Sequence, residues 1–394
     1  MRHRLFVLAL GNFAIGTEAF MIAGVLPAIA QELHVSLSSA GQLVTVFSLA
    51  YAIGSPVLAM FTGQVERRKL LVTSILLFAL ANFLCGLTSH YGTLVLGRVI
   101  AAIGAGLFVP ATSTTAAGLV APELRGRALA VVIGGQTVAL AVGVPFGTWI
   151  AYAFHWRTTF WMVGVLALIA AVLIRLRLPA VASAVTVSLR ERLAHVKRPV
   201  IWTSLLTTVC WATGAFAVYT YIADVFGQLG AAPRVISLVL LIWGVSSLIG
   251  STLGGVASDR FGSARAIPVA LAVLLAALTS FSILTSGQPS RTALWIGCAA
   301  MVVWGVSAWS FSPALQHRLI GLSGKASGIV VSLNPSAIYL GSALGAAVGG
   351  LFVAYGHVTA LGYFGGVCEL LALLWFAASR IRERKSSQAA EEAA

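Results

Sequence analysis

Three charged side chains stand deep inside long apolar stretches of this 394-residue chain: Glu18, Arg98 and Glu369. A charge at the centre of a membrane helix costs about 2.5–3.5 kcal/mol or more unless it is paired or hydrated, so each must face protein or water. A carboxylate in a closing cavity binds or releases a proton as water and cations come and go, and proton coupling needs that chemistry. Glu18 follows the start of its stretch by about 13 residues, roughly 20 Å along a helix axis and near a membrane midplane. Arg98 falls about 9 Å below the far surface if its helix runs the other way. Their depths allow a direct ion pair or a water bridge, and Ala101, Ala102 and Ala105 leave room for the arginine. The same geometry suits a fixed structural pair. For Glu369, near mid-depth of the last stretch, a helix–helix contact or a protonated acid fits as well as transport does.

Other polar and aromatic groups share that depth. Gln136 and Asn334 are mid-stretch amides, suited to substrate contact or to hydrogen bonds between helices, and Met21 is a further candidate contact on the stretch that carries Glu18. Trp211, Trp243, Trp304 and Trp309 lie deep enough to wall a lipophilic pocket, or to pack a core. Trp149, Trp156, Trp161, Trp202, Trp295 and Trp375 fall near expected interfaces and read as belt anchors. Asp224 reads as a wetted rim residue. The histidines lie in loops or at stretch ends, and the cysteines, Cys85, Cys210, Cys298 and Cys368, show no CxxC spacing. Neither set points to a metal or cofactor site.

The elements that must position these groups follow from composition. The chain is 59% hydrophobic and 9% charged, with a mean hydropathy of +0.96. A soluble domain carries about 25% charged residues, so this chain cannot cover a water-facing surface. Apolar runs occupy 5–30, 40–61, 70–88, 92–116, 128–152, 158–176, 200–225, 234–256, 266–285, 292–314, 327–354 and 358–378. Each is long enough to cross a bilayer as a helix, and no large soluble domain fits between them. The first lacks a cleavage site and reads as helix 1. The expected organisation is a six-helix bundle over 1–176, a cytoplasmic linker over 177–198, a second bundle over 199–380 and a frayed tail over 381–394.

A net charge of +14 in a soluble protein would suggest nucleic acid. Here 21 of the 25 Lys and Arg fall on the side of the N-terminus, and only Arg157, Arg234 and Arg291 fall in opposite loops. That asymmetry places both termini in the cytoplasm and removes any need for a nucleic-acid partner. The expected partners are a small-molecule substrate, protons and the lipid bilayer, with the chain acting as a monomer. A weak internal repeat relates the halves. Ile53-Gly54-Ser55 recurs as Ile249-Gly250-Ser251, Glu66-Arg67-Arg68-Lys69 aligns with Asp259-Arg260-Phe261-Gly262, and Gly143-x3-Gly147 aligns with Gly341-x3-Gly345. Repeated halves are typical of transporters whose site lies at the midplane between them. Gly341, Gly345 and Gly349, and Gly250 and Gly254, mark faces where helix backbones approach closely. Pro56, Pro110, Pro145, Pro313 and Pro335 each remove a backbone bond inside a span. No GxSxG, HExxH or Walker pattern occurs, so an integral-membrane enzyme is a remote reading.

These residues resemble a known family. The chain resembles the major facilitator superfamily and, within it, the twelve-span drug:H⁺ antiporter-1 family, in a branch similar to bacterial exporters of sugars, purine nucleosides and chloramphenicol. The resemblance rests on Glu18-Ala-Phe-Met-Ile-Ala-Gly-Val-Leu-Pro27 in span 1 and on Leu94-x3-Arg98-x5-Gly104-x-Gly106 in span 4. The antiporter signature of span 5 is altered to Gly135…Gly143-Val-Pro145-Phe-Gly147-Thr148. The loop signature is degraded between spans 2 and 3, leaving Arg67 and Arg68, and better kept as Gly255-x3-Asp259-Arg260-x-Gly262. The resemblance implies that these loops latch the cytoplasmic side, with Asp259 as a charge partner. It also implies that Glu18 and Arg98 couple protons, and that Trp211, Tyr219, Trp304 and Trp309 line the cavity. It argues against Glu369 in transport. The implied activity is proton-coupled efflux of drug-like or sugar-like solutes across the bacterial inner membrane, with an uncoupled facilitator of sugars or nucleosides as the rival.

Overall fold

Inside a bilayer no water is at hand for backbone N–H and C=O groups, so an apolar segment satisfies them by closing a helix. The computed structural model, which describes residues 2–180, 199–323 and 327–392, is all helix apart from short turns. The helices are α1 (Arg2–Glu32), α2 (Leu37–Phe61), α3 (Arg67–Leu87), α4 (Tyr91–Gly118), α5 (Arg125–Val138), α6 (Val144–Ala153), α7 (Trp156–Arg177), α8 (Pro199–Thr220), α9 (Ile222–Gln228), α10 (Ile236–Phe261), α11 (Ser263–Thr285), α12 (Arg291–Ser323), α13 (Ser327–Ala354) and α14 (Ala360–Glu392). A π-turn at Ala139–Gly143 joins α5 to α6 in one rod, so twelve spans among the described residues are long and apolar enough to cross a membrane. Pro145 explains the turn: it has no N–H to give to the carbonyl four residues earlier.

Two expectations need correction, and a third lies partly outside the described residues. The polar tail is not frayed where it is described, because α14 continues to Glu392. From residue 181 to 198 the expected linker lies outside the described residues. Trp156 is not a belt anchor. It is 2% exposed, and its indole N–H donates to Glu32 at 2.6 Å, beside Arg157 and His155, which also pair with Glu32.

The spans form two six-helix bundles, and the glycine faces pack inside them. Gly250 and Gly254 on α10 meet the backbone of Val306 and Ser310 on α12, so closely that no Cβ would fit. Gly341 and Gly345 do the same against α8. These faces therefore hold a bundle together.

Between bundles the joints are of a different kind. On α2 and α13, the Ser48 and Ser342 hydroxyls lie 3.1 Å apart and the rings of Tyr51 and Tyr339 stack at 3.8 Å. Gly350 of α13 sits beside Ser38 and Gln42 of α2. Gly244 of α10 presses on the backbone of Leu140 in the π-turn. The Tyr219 hydroxyl donates to the Phe20 carbonyl at 3.0 Å. Each of these joints lies at mid-depth or toward the face remote from the termini, so the bundles are sealed together on that side.

Candidate functional site

Glu18 and Arg98 form an ion pair between α1 and α4, both fully buried. The arginine is held independently by α2. Its Nε donates to the Leu43 carbonyl at 3.3 Å, and its guanidinium carbon lies 4.3 Å from the centre of the Phe47 ring. Arg98 therefore has neutral supports that do not depend on the acid. The second carboxylate oxygen of Glu18, Oε2, has no hydrogen-bond partner among the described residues. The pair lies under the inter-bundle ring contact, because Tyr339 packs on both Phe47 and Tyr51.

Two residues further along α1, Phe20 points the other way. Successive residues are 100° apart on a helix, so a side chain two positions on emerges from nearly the opposite face. Phe20 enters an aromatic cage of the second bundle, with ring centres 5.9–6.2 Å from Phe216, Tyr219, Trp243 and Trp309. Trp211, Ala215, Trp304, Ala308, Ser312 and Ile338 complete the lining. The four deep tryptophans thus converge on one pocket. Its free space is only about 40 Å³, against roughly 300–1,000 Å³ for a typical ligand pocket. The rings fill it themselves, with Phe20 as the plug from the first bundle. The indole N–H groups of Trp211, Trp243 and Trp304 are buried with no acceptor among the described residues. An orphaned buried donor is uncommon and calls for an explanation, such as a ligand.

The other expected residues lie elsewhere. Met21 is fully buried against Gly147 of α6, within its own bundle. Gln136 is half-buried, its backbone against Gly16 of α1. The Asn334 side-chain carbonyl accepts from the Thr208 hydroxyl at 2.9 Å, tying α13 to α8. Glu369 is fully buried on α14, packed against Gly214 of α8, and both its oxygens lack a partner among the described residues. Asp224 on α9 is half-buried, and burial raises its carboxyl above the usual carboxylate range. At the face of the termini, Arg68 pairs with Glu66 at 3.5 Å and donates to the Leu178 carbonyl. Arg67 beside it is half-buried, whereas Asp259 and Arg260 are exposed. Sequence reasoning missed Phe20, Phe216, Phe47, Tyr51 and Tyr339, none of which contrasts in type with its apolar neighbours.

Known proteins place this architecture. The sequence pattern of the Major Facilitator Superfamily matches residues 8–333 and 221–394. An uncharacterized MFS-type transporter of Bacillus subtilis, YbcL, is 33% identical over 373 residues, covering 94% of each chain. The inner membrane transport protein YdhP of Escherichia coli K12 is 32% identical over 383 residues, covering 95% of each. Among solved structures, a bacterial homolog of the human lysosomal transporter Spinster superposes with a TM-score of 0.76 at 17% identity, covering 96% of each chain.

Proposed function

The chain belongs to the major facilitator superfamily, and we propose that it exports small lipophilic solutes from the bacterial cytoplasm in exchange for protons. It is a multi-pass transport protein of the bacterial inner membrane and not an enzyme. One observation carries the finer reading: α1 presents an acid to a buried arginine on one face and a plug to an aromatic cage on the other.

With the termini in the cytoplasm, the sealed remote face supports reading this as an inward-facing state. Solute entering from the cytoplasm parts the rings and displaces Phe20. The rings supply apolar contact, and the three orphan indole donors favour a solute that carries hydrogen-bond acceptors. The bundles over 1–176 and 199–380 then rock, joined by the linker at 177–198. The Tyr51–Tyr339 and Ser48–Ser342 joints part, and the ion pair meets outside water. Protonation of Glu18 releases α1 from Arg98, which stays on Leu43 and Phe47. The proton leaves to the cytoplasm as the solute site reloads. Arg67, Arg68, Asp259 and Arg260 act in the latch that closes the cytoplasmic side, with Glu66 as acid in the first copy of the loop. The protein works as a monomer within the drug:H⁺ antiporter-1 family.

The test is transport in liposomes that contain a pH-sensitive dye and hold an imposed pH gradient. A panel of lipophilic antibiotics, sugars and nucleosides is added in turn. Proton movement triggered by lipophilic, acceptor-bearing compounds, and its loss in Glu18→Gln, is the expected result. Solute equilibration without proton movement would show an uncoupled facilitator and leave Glu18–Arg98 a structural pair. Proton movement with sugars alone would overturn the lipophilic assignment.

A further inference from the structure

On the far side of α12 from the aromatic cage lies a groove that the transport cycle above does not use. The helix turns Trp304, Ala308 and Trp309 into the cage and Val302, Val303, Ser307 and Ser310 into the groove. α10 and α11 form the other walls. Small residues, Gly254, Ala257, Ala266 and Ala270, let the surface sink inward to a volume of about 550 Å³. Exposed apolar side chains, among them Leu253, Phe261 and Val269, stand along its rims, so it opens toward lipid.

The groove is polar at one end only. Arg265, in the first turn of α11, is the sole charged side chain in its lining among the described residues. It is exposed and makes no ion pair among the described residues. Arg260 at the end of α10 adds a second exposed cation nearby. Asp259 is the neighbouring carboxylate and does not line the groove. From Arg265 to Val273 the trough runs about 12 Å along α11, from the membrane surface on the side of the termini toward the middle. A cation at headgroup depth above an apolar trough is complementary to one kind of molecule. We propose that this groove is a binding site for an anionic phospholipid of that leaflet, with its phosphate on Arg265 and an acyl chain along α11. Basic pockets between membrane helices hold acidic lipid headgroups in this way. A zwitterionic lipid fills the trough equally well but offers Arg265 no net charge. The site does not depend on the direction or coupling of transport.

The experiment uses the full chain, delipidated in detergent and titrated with mixed micelles of phosphatidylglycerol or phosphatidylcholine with identical acyl chains. Retained lipid is read by native mass spectrometry. The wild type is expected to prefer phosphatidylglycerol by about fivefold, the worth of one arginine at a charged surface. Arg265→Gln should reduce that preference to parity while leaving phosphatidylcholine binding unchanged. Arg234→Gln, on the opposite face, should keep it. Ala270→Trp, which fills the trough, should lower binding of both lipids, and inorganic phosphate should not displace either. Equal binding of the two lipids by the wild type would overturn the proposal in favour of an ordinary lipid annulus. A preference that survives Arg265→Gln would overturn it by placing the anion elsewhere. Displacement by inorganic phosphate would show that the chain in the groove contributes nothing.

Discussion

Replacing Glu18 by Gln keeps the shape of the side chain and removes its charge. Arg98 is fully buried and cannot shed its proton, so its charge is left without a counter-ion. Removing one partner of a buried ion pair costs about 3–5 kcal/mol. The Leu43 carbonyl at 3.3 Å and the Phe47 ring remain in place. They put the expected loss at the lower end, about 3 kcal/mol, or roughly a hundredfold in the folding equilibrium. Arg98→Gln is not the mirror image. The carboxylate it strands can be neutralised by a proton, so its cost should shrink as the pH is lowered, whereas that of Glu18→Gln should not. With both replaced, no charge of the pair is left buried, and the double variant should lie closer to the wild type than the sum of the singles by about 2 kcal/mol. The assay is unfolding in detergent by denaturant at about pH 8 and about pH 5 for the four members of the cycle. Additive single losses, or losses that respond equally to pH, would refute the claim that these groups form one isolated buried pair.

Three further outcomes follow from the geometry. Ser48→Cys with Ser342→Cys should cross-link under mild oxidant, because the hydroxyls are 3.1 Å apart. Transport should fall to background and return with reductant, and efficient transport by the cross-linked protein would show that this joint need not open. Phe20→Ala withdraws the plug from the cage, and such truncations cost about 3–5 kcal/mol in a packed core. The cost falls on the state that is sealed at the remote face, so a cysteine placed at Gln42, beside Gly350, should be labelled faster from the remote side. Unchanged labelling would mean that Phe20 does not hold the seal. Glu369→Gln should change stability by less than about 1 kcal/mol and spare transport, because the carboxyl has no hydrogen-bond partner among the described residues to lose. A folded but inactive Glu369→Gln protein would instead bring Glu369 into the transport machinery.

What was legible in the sequence depended on contrast. Glu18 and Arg98 stand out because a charge in an apolar run has few tolerable explanations, and their depths alone allowed the pairing that the fold makes. The spans were equally plain, since a bilayer sets their length. Azimuth was the hidden variable. Trp156 sits near an interface, as expected, but its indole turns inward to Glu32. Phe20, Tyr51 and Tyr339 are apolar or aromatic residues on helices that are apolar all round, so no periodic pattern marks the side that meets the other bundle. The four deep tryptophans were visible as a set, but only the packing of α8, α10 and α12 brings them to one pocket.

The placement of Glu18 and Phe20 on one helix bears on how two sites can be coupled without touching. A helix with its side chains is a cylinder of about 5–6 Å radius, so rolling α1 by about 30° moves a side-chain tip by about 3 Å. That displacement takes an ion-paired oxygen from contact to well beyond hydrogen-bonding distance. It is also about the shift a ring must make to leave a cage with only about 40 Å³ to spare. In the proposed exchange, a solute that expels Phe20 by rolling α1 also disturbs the Glu18–Arg98 pair, because α1 is unbroken between the two residues. In that exchange the coupling is reciprocal by necessity: whatever the solute does to the proton affinity of Glu18, the proton does to the affinity for solute. A rigid α1 turns this requirement into mechanics. Glycines introduced at Thr17 and Ala19 would soften the helix and should weaken the coupling while leaving both sites intact.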